Sequence, residues 1–320
     1  MPFSFHTHSG QFCRHASGNL EDVVKAAVAR RMAVLGLSEH VPRSRTQDLY
    51  PEEADMTPGD LHAAFAAYVA EARRLQAKYA GQIDIVIGAE TELITDATLA
   101  EVQQLRAQYS LDYLVGSLHH IDGMPLDFSA ELYDDLVRHF GGDRERMFAR
   151  YFDQQLELLQ QLKPEVVGHF DLVRIFHPRD QPDPLLTSPE VRRRALRNID
   201  YAVGYGAVFE INSRAWKKGL RDAYPQRDLL LEIIRRGGRV TISDDSHGAG
   251  DVCMFYDRLL AYLREMGIER LHYLGHRNIG DGNASDDAVQ VRVLEKATAH
   301  EFWALNGLQG SAAHTNNTGQ

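Results

Sequence analysis

The sequence predicts an α/β fold whose parallel strands close, or nearly close, into a barrel. Three observations predict it. Short apolar runs alternate with helix-length amphipathic stretches about seven times along the chain. Nearly every apolar run stops at a His, Glu or Asp. No G-x-G-x-x-G follows the first run, so a dinucleotide-binding sheet has no support. A barrel gathers all its strand ends at one mouth, whereas an open doubly wound sheet gathers only those beside its switch point.

The first run, Phe3-Ser4-Phe5, leads into His6-Thr7-His8. On a continuous strand, residues two apart face the same way, so both imidazoles are expected at one point. A loop carries Cys13, Arg14 and His15. Asn19 then reads as an N-cap before the stripe Val23, Val24, Ala27, Val28. The run 33–37 stops at Ser38-Glu39-His40. Thr57-Pro58 opens the next helix, with Leu61, Phe65, Tyr68, Ala72 and Leu75 on one face. Ile83 to Ile87 is rich in β-branched residues and runs out at Gly88-Ala89-Glu90-Thr91-Glu92. A helix over about 96–108 leads to the run 113–118 and His119-His120. Met147, Tyr151, Gln154, Leu158 and Leu162 recur at helical spacing. Val166-Val167-Gly168 then enters His169-Phe170-Asp171. Ser188-Pro189 repeats the N-cap and N1 signal. Strands are expected at 207–212, at 239–242 and, as a last addition, at 271–274, with helices over 226–236 and 255–266 between them. The chain reads as one domain over 1–310 with a frayed tail at 311–320.

Composition narrows the function classes. A net charge of −10 argues against a nucleic-acid surface, and no basic aromatic stripe is visible. Any anionic substrate must therefore be attracted locally. Two cysteines in 320 residues make no disulfide framework and point to a reducing, cytoplasmic setting. No apolar run is long enough to span a bilayer, so no membrane partner is expected.

The chemistry-bearing candidates are His6, His8, His15, His40, Glu90, His119, His169, Asp245 and His247. Imidazole nitrogen and carboxylate oxygen together suit zinc, manganese or iron better than magnesium or calcium. Nine candidates exceed what one ion takes, so two to three divalent ions sharing a carboxylate are expected. Each residue alone has an ordinary alternative: His15 as a solvated loop histidine, Glu90 and Glu92 as rim salt-bridge partners, Asp171 and Asp244 as groups that orient a neighbour. What favours a joint reading is their recurrence just after strand-like runs.

Across about residues 3–260 the motifs H-T-H (6–8), F-C-R-H-A (12–16), S-E-H (38–40), G-A-E-T-E (88–92), G-S-L-H-H (116–120), G-H-F-D-L-V-R (168–174), E-I-N-S (210–213), D-A-Y-P (222–225) and S-D-D-S-H (243–247) occur in order. Together they resemble the histidinol-phosphatase branch of the polymerase and histidinol phosphatase (PHP) family. That resemblance implies a distorted (β/α)7 barrel with a trinuclear metal centre at the C-terminal ends of its strands. It implies that His6, His8, Glu90 and Asp245 hold one ion, and that His15, His40 and His247 hold a second. Glu90, His119 and His169 would hold a third, with Glu90 bridging. It gives Arg174 and Lys217 to the phosphate and Asn212 to substrate binding. Glu92 and Asp171 complete the expected catalytic set. The implied activity is hydrolysis of L-histidinol phosphate, a small phosphomonoester. The alternatives are another small phosphomonoester or nucleotide as substrate, or a non-catalytic metal-binding domain.

Overall fold

The computed structural model describes residues 3–276 and 289–308. The expected tail at 311–320 lies outside the described residues. Seven strands form one sheet in chain order: β1 (Phe3–Ser4), β2 (Val34–Leu37), β3 (Asp84–Glu90), β4 (Tyr113–Gly116), β5 (Val166–Val167), β6 (Val208–Asn212) and β7 (Arg239–Ser243). All six pairings are parallel, from Phe3 opposite Val34 to Ser243 opposite Asn212. Strands β2 and β4 to β6 are buried at every residue, as expected when helices cover one face and the barrel interior the other. One continuous apolar cluster runs from Phe3 to Trp303.

The three helices with sequence N-cap signals begin where those signals lie, but one of the caps is not made. Thr57 Oγ1 accepts from Asp60 N, and Asp60 Oδ2 accepts from Thr57 N, closing a capping box at the start of Pro58–Lys78. Ser188 Oγ accepts from Val191 N ahead of Pro189–Tyr205. Asn19 occupies the N-cap of Leu20–Ala29, but its side chain caps nothing. The Leu20 amide goes instead to Gln11 Oε1 in the preceding loop.

The barrel is distorted at its seam. No backbone ladder joins β1 to β7. Ser4 Oγ instead donates to Asp244 Oδ1 at 2.8 Å. Past this seam the two segments pair again: Thr7–His8 runs parallel to Ser246–His247, with His8 opposite His247. His6 and His8 therefore do not share one strand of the main sheet, as the two-residue spacing suggested. The chain leaves the sheet after Ser4, and a second ladder re-closes the barrel at its mouth. That closure sets His8 of the H-x-H motif against His247 of the S-H motif, 239 positions later in the chain. Tyr113 crosses the interior, its hydroxyl donating to Phe5 O and Leu37 O at 3.0 and 3.3 Å. A side chain at Gly36 would collide with its hydroxyl and one at Gly88 with its ring, so both positions have a packing reason to be glycine.

The strand expected at 271–274 forms, as β8 (Leu271–Gly275), but it lies outside the seven-stranded sheet. It pairs antiparallel with β9 (Gln290–Leu294), and Tyr273 stacks on Phe3 with ring centroids 5.3 Å apart. His276, just after β8, bonds to Asp84, the first residue of β3, so this hairpin covers the end opposite the mouth. Among the described residues, no helix is long and apolar enough to cross a membrane.

Candidate metal centre

Glu90 is the last residue of β3 and the hub of the mouth. Its Oε1 lies 2.9 Å from His6 Nε2, 3.1 Å from His119 Nε2 and 3.0 Å from His169 Nε2. Its Oε2 lies 2.9 Å from His40 Nδ1 and 3.3 Å from His8 Nε2. Sheet geometry delivers these partners. The S-E-H segment bridges to β3 through Val41 N to Glu90 O and Glu90 N to Glu39 O, both 3.0 Å. The seam ladder brings His8 and His247 together, ring centroids 4.6 Å apart. Asp245 sits in the left-handed region at φ 47°, a conformation Asp tolerates better than most residues. Its Oδ1 lies 3.7 Å from His6 Nε2 and 3.6 Å from His8 Nε2. His15 closes the outer side, its Nε2 3.3 Å from His40 Nε2 and 3.1 Å from Cys13 Sγ.

Further carboxylates hold the imidazoles from behind. Glu210 accepts from or faces His6 Nδ1 at 3.1 and 3.2 Å, and it also takes the His169 amide and the Ser243 hydroxyl. Glu92 lies 2.9 Å from His119 Nδ1 and 3.0 Å from His120 Nδ1. Glu39 approaches His8 Nδ1 at 3.6 Å and takes both the amide and the hydroxyl of Ser9. Partners of this kind fix which ring nitrogen presents its lone pair to the centre.

Hydrogen bonding alone does not account for the cluster. His6 Nε2 and His8 Nε2 are buried within 3.3 Å of Glu90 oxygens, yet neither is aligned for a hydrogen bond. Buried polar atoms without partners are costly. Burial lowers the pKa of His40 and of His247, so both rings stay neutral and keep a lone pair. Burial would also raise the pKa of Glu90, but His6, His119 and His40 override it and hold the carboxyl well below its usual range, ionised. Imidazole nitrogens converging on an ionised carboxylate, with His6 Nε2 and His8 Nε2 left without a hydrogen bond, fit divalent cations. Four sets of three donor atoms lie within 4.8 Å of one another: His6/Glu90/His169, His6/His8/Asp245, His8/His40/His247 and Cys13/His15/His40.

The cavity over this cluster has a volume of about 350 Å³. His15, His40, Glu90, His119, His169, Asp245 and His247 line it, with Tyr50, Asp127, Phe128, Arg214, Lys218 and Tyr224. His6 and His8 lie beneath, fully buried. The other expected residues are placed differently. Arg174 does not line the cavity: its guanidinium donates to Asp171 Oδ2 at 3.1 Å and Asp183 Oδ2 at 3.0 Å. Asp171 is buried beneath it, receiving also the Gln226 amide. Lys217 does not line the cavity either, because its ammonium turns out to Asp251 at 2.9 Å. Arg214 takes that place, held by Nη1 to Asp245 O at 2.9 Å and to Asp251 Oδ2 at 3.1 Å. The reason is local. A helical turn starts directly after β6, pinned by Arg214 N to Asn212 Oδ1, so Arg214 stays at the strand end while Lys217 is carried onto its outer side. Asn212 is itself buried, with Nδ2 on Glu210 and Asp245. Glu92 touches His119 and His120 and is likewise set behind the cavity wall. Sequence reasoning missed Glu39, Glu210 and Arg214 as site residues. A glutamate inside the apolar run of β6 was the one available signal for Glu210.

The PHP domain family model matches residues 4–214. The "Probable histidinol-phosphatase" of Schizosaccharomyces pombe is 43% identical over 308 residues, covering 96% of this chain and 99% of its own. The histidinol-phosphatase of Saccharomyces cerevisiae is 30% identical over 335 residues, covering 94% and 99%. A solved structure from Listeria monocytogenes has a TM-score of 0.66 at 24% identity, over 79% of this chain and 98% of that one. Histidinol phosphate phosphatase from Lactococcus lactis, solved with zinc, L-histidinol and phosphate, has a TM-score of 0.57 at 22% identity, over 78% and 87%. At these identities the two likenesses show a shared fold. With the family model matched over more than half its length, and relatives aligned over nearly all of it, the chain belongs to the PHP domain family.

Proposed function

We propose that this chain is a metal-dependent phosphomonoesterase that hydrolyses L-histidinol phosphate to L-histidinol and phosphate. The observation that carries the reading is Glu90, one ionised carboxylate within 3.3 Å of five imidazoles under an open cavity. Its relatives at 43% and 30% identity carry the histidinol-phosphatase name over almost their whole length.

His6, His8, Glu90, Asp245, His119, His169, His15, His40 and His247 would hold two or three divalent transition-metal ions, zinc, manganese or iron. Bound there, such ions supply Lewis acidity to phosphoryl oxygens and bring the pKa of water toward ~7. The protein's own part is to place and charge the site. Glu210 and Glu92 fix the rings of His6 and His119, so that Nε2 of each faces Glu90. Arg214 and Lys218 put positive charge on the cavity wall, where a chain of net charge −10 must attract an anion locally. Arg174 and Asp171 act from behind that wall as positioning residues. Both cysteines are free and buried, and we place the enzyme in a reducing, cytoplasmic compartment.

The test is phosphate release from a panel of phosphomonoesters, before and after chelation and with manganese or zinc restored. L-Histidinol phosphate should be the preferred substrate, and activity should follow metal content. Equal turnover of unrelated phosphomonoesters would refute the substrate assignment. Full activity after chelation would refute the metal dependence.

A further inference from the structure

Asp127 follows the small hairpin of His120–Ile121 and Met124–Pro125 and stands on the wall of the same cavity as Glu90 and Arg214. Its carboxylate has no hydrogen-bond or ion-pair partner among the described residues. It also belongs to none of the four donor sets that converge within 4.8 Å, so it is not placed as a metal ligand. Its negative charge reaches its neighbours: it adds to burial in raising the pKa of Tyr50, and to burial and Asp171 in raising that of Tyr224.

The wall around it is built rather than loose. Tyr50 stacks on Phe128, with centroids 5.3 Å apart and planes 15° from parallel. The Arg43 guanidinium lies 4.4 Å from the Tyr50 ring centroid, and Tyr50 N donates to Glu53 Oε2 at 2.9 Å. A carboxylate without a cation of its own, beside fixed aromatic faces in a concave site, is the chemistry that receives an ammonium or imidazolium group.

We infer that Asp127, with the Tyr50 and Phe128 faces, binds the cationic end of the substrate and so determines specificity. The inference rests on the phosphatase reading and adds to it. The site takes phosphomonoesters that carry an amine or imidazole a short chain away from the phosphate, as L-histidinol phosphate does. It discriminates against phosphate esters of uncharged alcohols, which leave Asp127 desolvated and unpaired.

The experiment compares kcat and KM of the full chain, Asp127→Asn and Asp127→Glu on two esters: L-histidinol phosphate and phenyl phosphate, which has no cationic group. In Asp127→Asn, kcat/KM for L-histidinol phosphate should fall about 10- to 100-fold more than for phenyl phosphate, mainly through KM. Asp127→Glu should recover part of the difference, and metal content should match the unmodified protein. An equal fall on both esters, no fall, or loss of metal would overturn the inference. Should the unmodified protein hydrolyse neither ester, the phosphatase reading fails on its own. Calorimetric binding of L-histidinol then tests the inference separately. Binding that Asp127→Asn weakens about tenfold or more would support it, and binding that Asp127→Asn leaves unchanged would refute it.

Discussion

Histidine and carboxylate meet at both ends of this barrel, and the two ends are built on opposite rules. At the end away from the mouth, His276 meets Asp84 in a paired hydrogen bond. Its amide donates to one carboxylate oxygen at 2.9 Å, and its Nδ1 lies 2.8 Å from the other. The Asp84 hydrogen bond is also the main reason the pKa of His276 is raised. At the mouth, five imidazoles crowd one carboxylate. Nitrogen and oxygen come as close as 2.9 Å without the alignment of a hydrogen bond, and burial keeps His40 and His247 neutral. The residue types are the same. The ratio of rings to carboxylates, and the direction of the lone pairs, separate a hydrogen-bonded pair from a site that fits a cation.

The sharpest way to break the comparison is to remove one carboxylate from each end. Glu90→Gln should release metal and abolish nearly all turnover, beyond the ~10–100-fold that loss of an orienting partner causes. Asp84→Asn should leave both metal content and kcat as they were. Metal analysis and phosphate release on the same preparations decide it. Similar metal loss from both variants would erase the distinction.

The next largest effect is expected from the cavity's cations. Arg214→Ala should cost ~2–4 kcal/mol of transition-state stabilisation, read as kcat/KM, by analogy with the loss of one donor to a developing charge. Arg174→Ala and Lys217→Ala should cost less, because neither side chain lines the cavity, whereas Arg214 lines it while also holding Asp251. A larger loss for Lys217→Ala than for Arg214→Ala would reverse the placement.

A smaller effect sharpens the roles within the mouth. Glu92→Gln and Glu210→Gln should each lower metal affinity or activity by ~10–100-fold, since they hold His119 and His6 rather than the centre itself. Titrating metal back should recover much of the activity in these variants but not in Glu90→Gln. If added metal rescues Glu90→Gln as readily, Glu90 is not the hub.

The smallest effect belongs to the far end and carries a pH sign. The pKa of His276 is raised above 6.5 in the folded state, chiefly by its Asp84 hydrogen bond. A raised histidine stabilises fully below its unfolded pKa, and that stabilisation is lost as pH rises through the folded pKa. The partly exposed pair is worth about 1 kcal/mol at most. The urea midpoint of the unmodified protein should therefore exceed that of Asp84→Asn below pH ~6, and the gap should narrow as pH rises beyond the ordinary histidine range. A gap that widens with pH would contradict the assignment.

The alternation of apolar runs and amphipathic stretches was sufficient for a barrel, because strand burial and helix faces leave period-two and period-3.6 traces within a few residues. The recurring His, Glu or Asp at the end of each run was legible for the same reason: a parallel barrel turns strand ends into a single mouth wherever they lie in the chain. Other features left no local trace. The H-x-H motif owes its geometry to a ladder with Ser246–His247, formed only because β1 and β7 fail to pair and re-close further along. Glu210 meets His6 across 204 positions. Arg214 lines the cavity while Arg174 and Lys217 do not, and Asp127 stands on its wall unpaired among the described residues. Composition and spacing say that such charges exist, but their direction is set by helix phase and by which carboxylate lies nearest in space. Long side chains follow the partners that folding brings to them, so the tertiary structure alone decided which charges face the site.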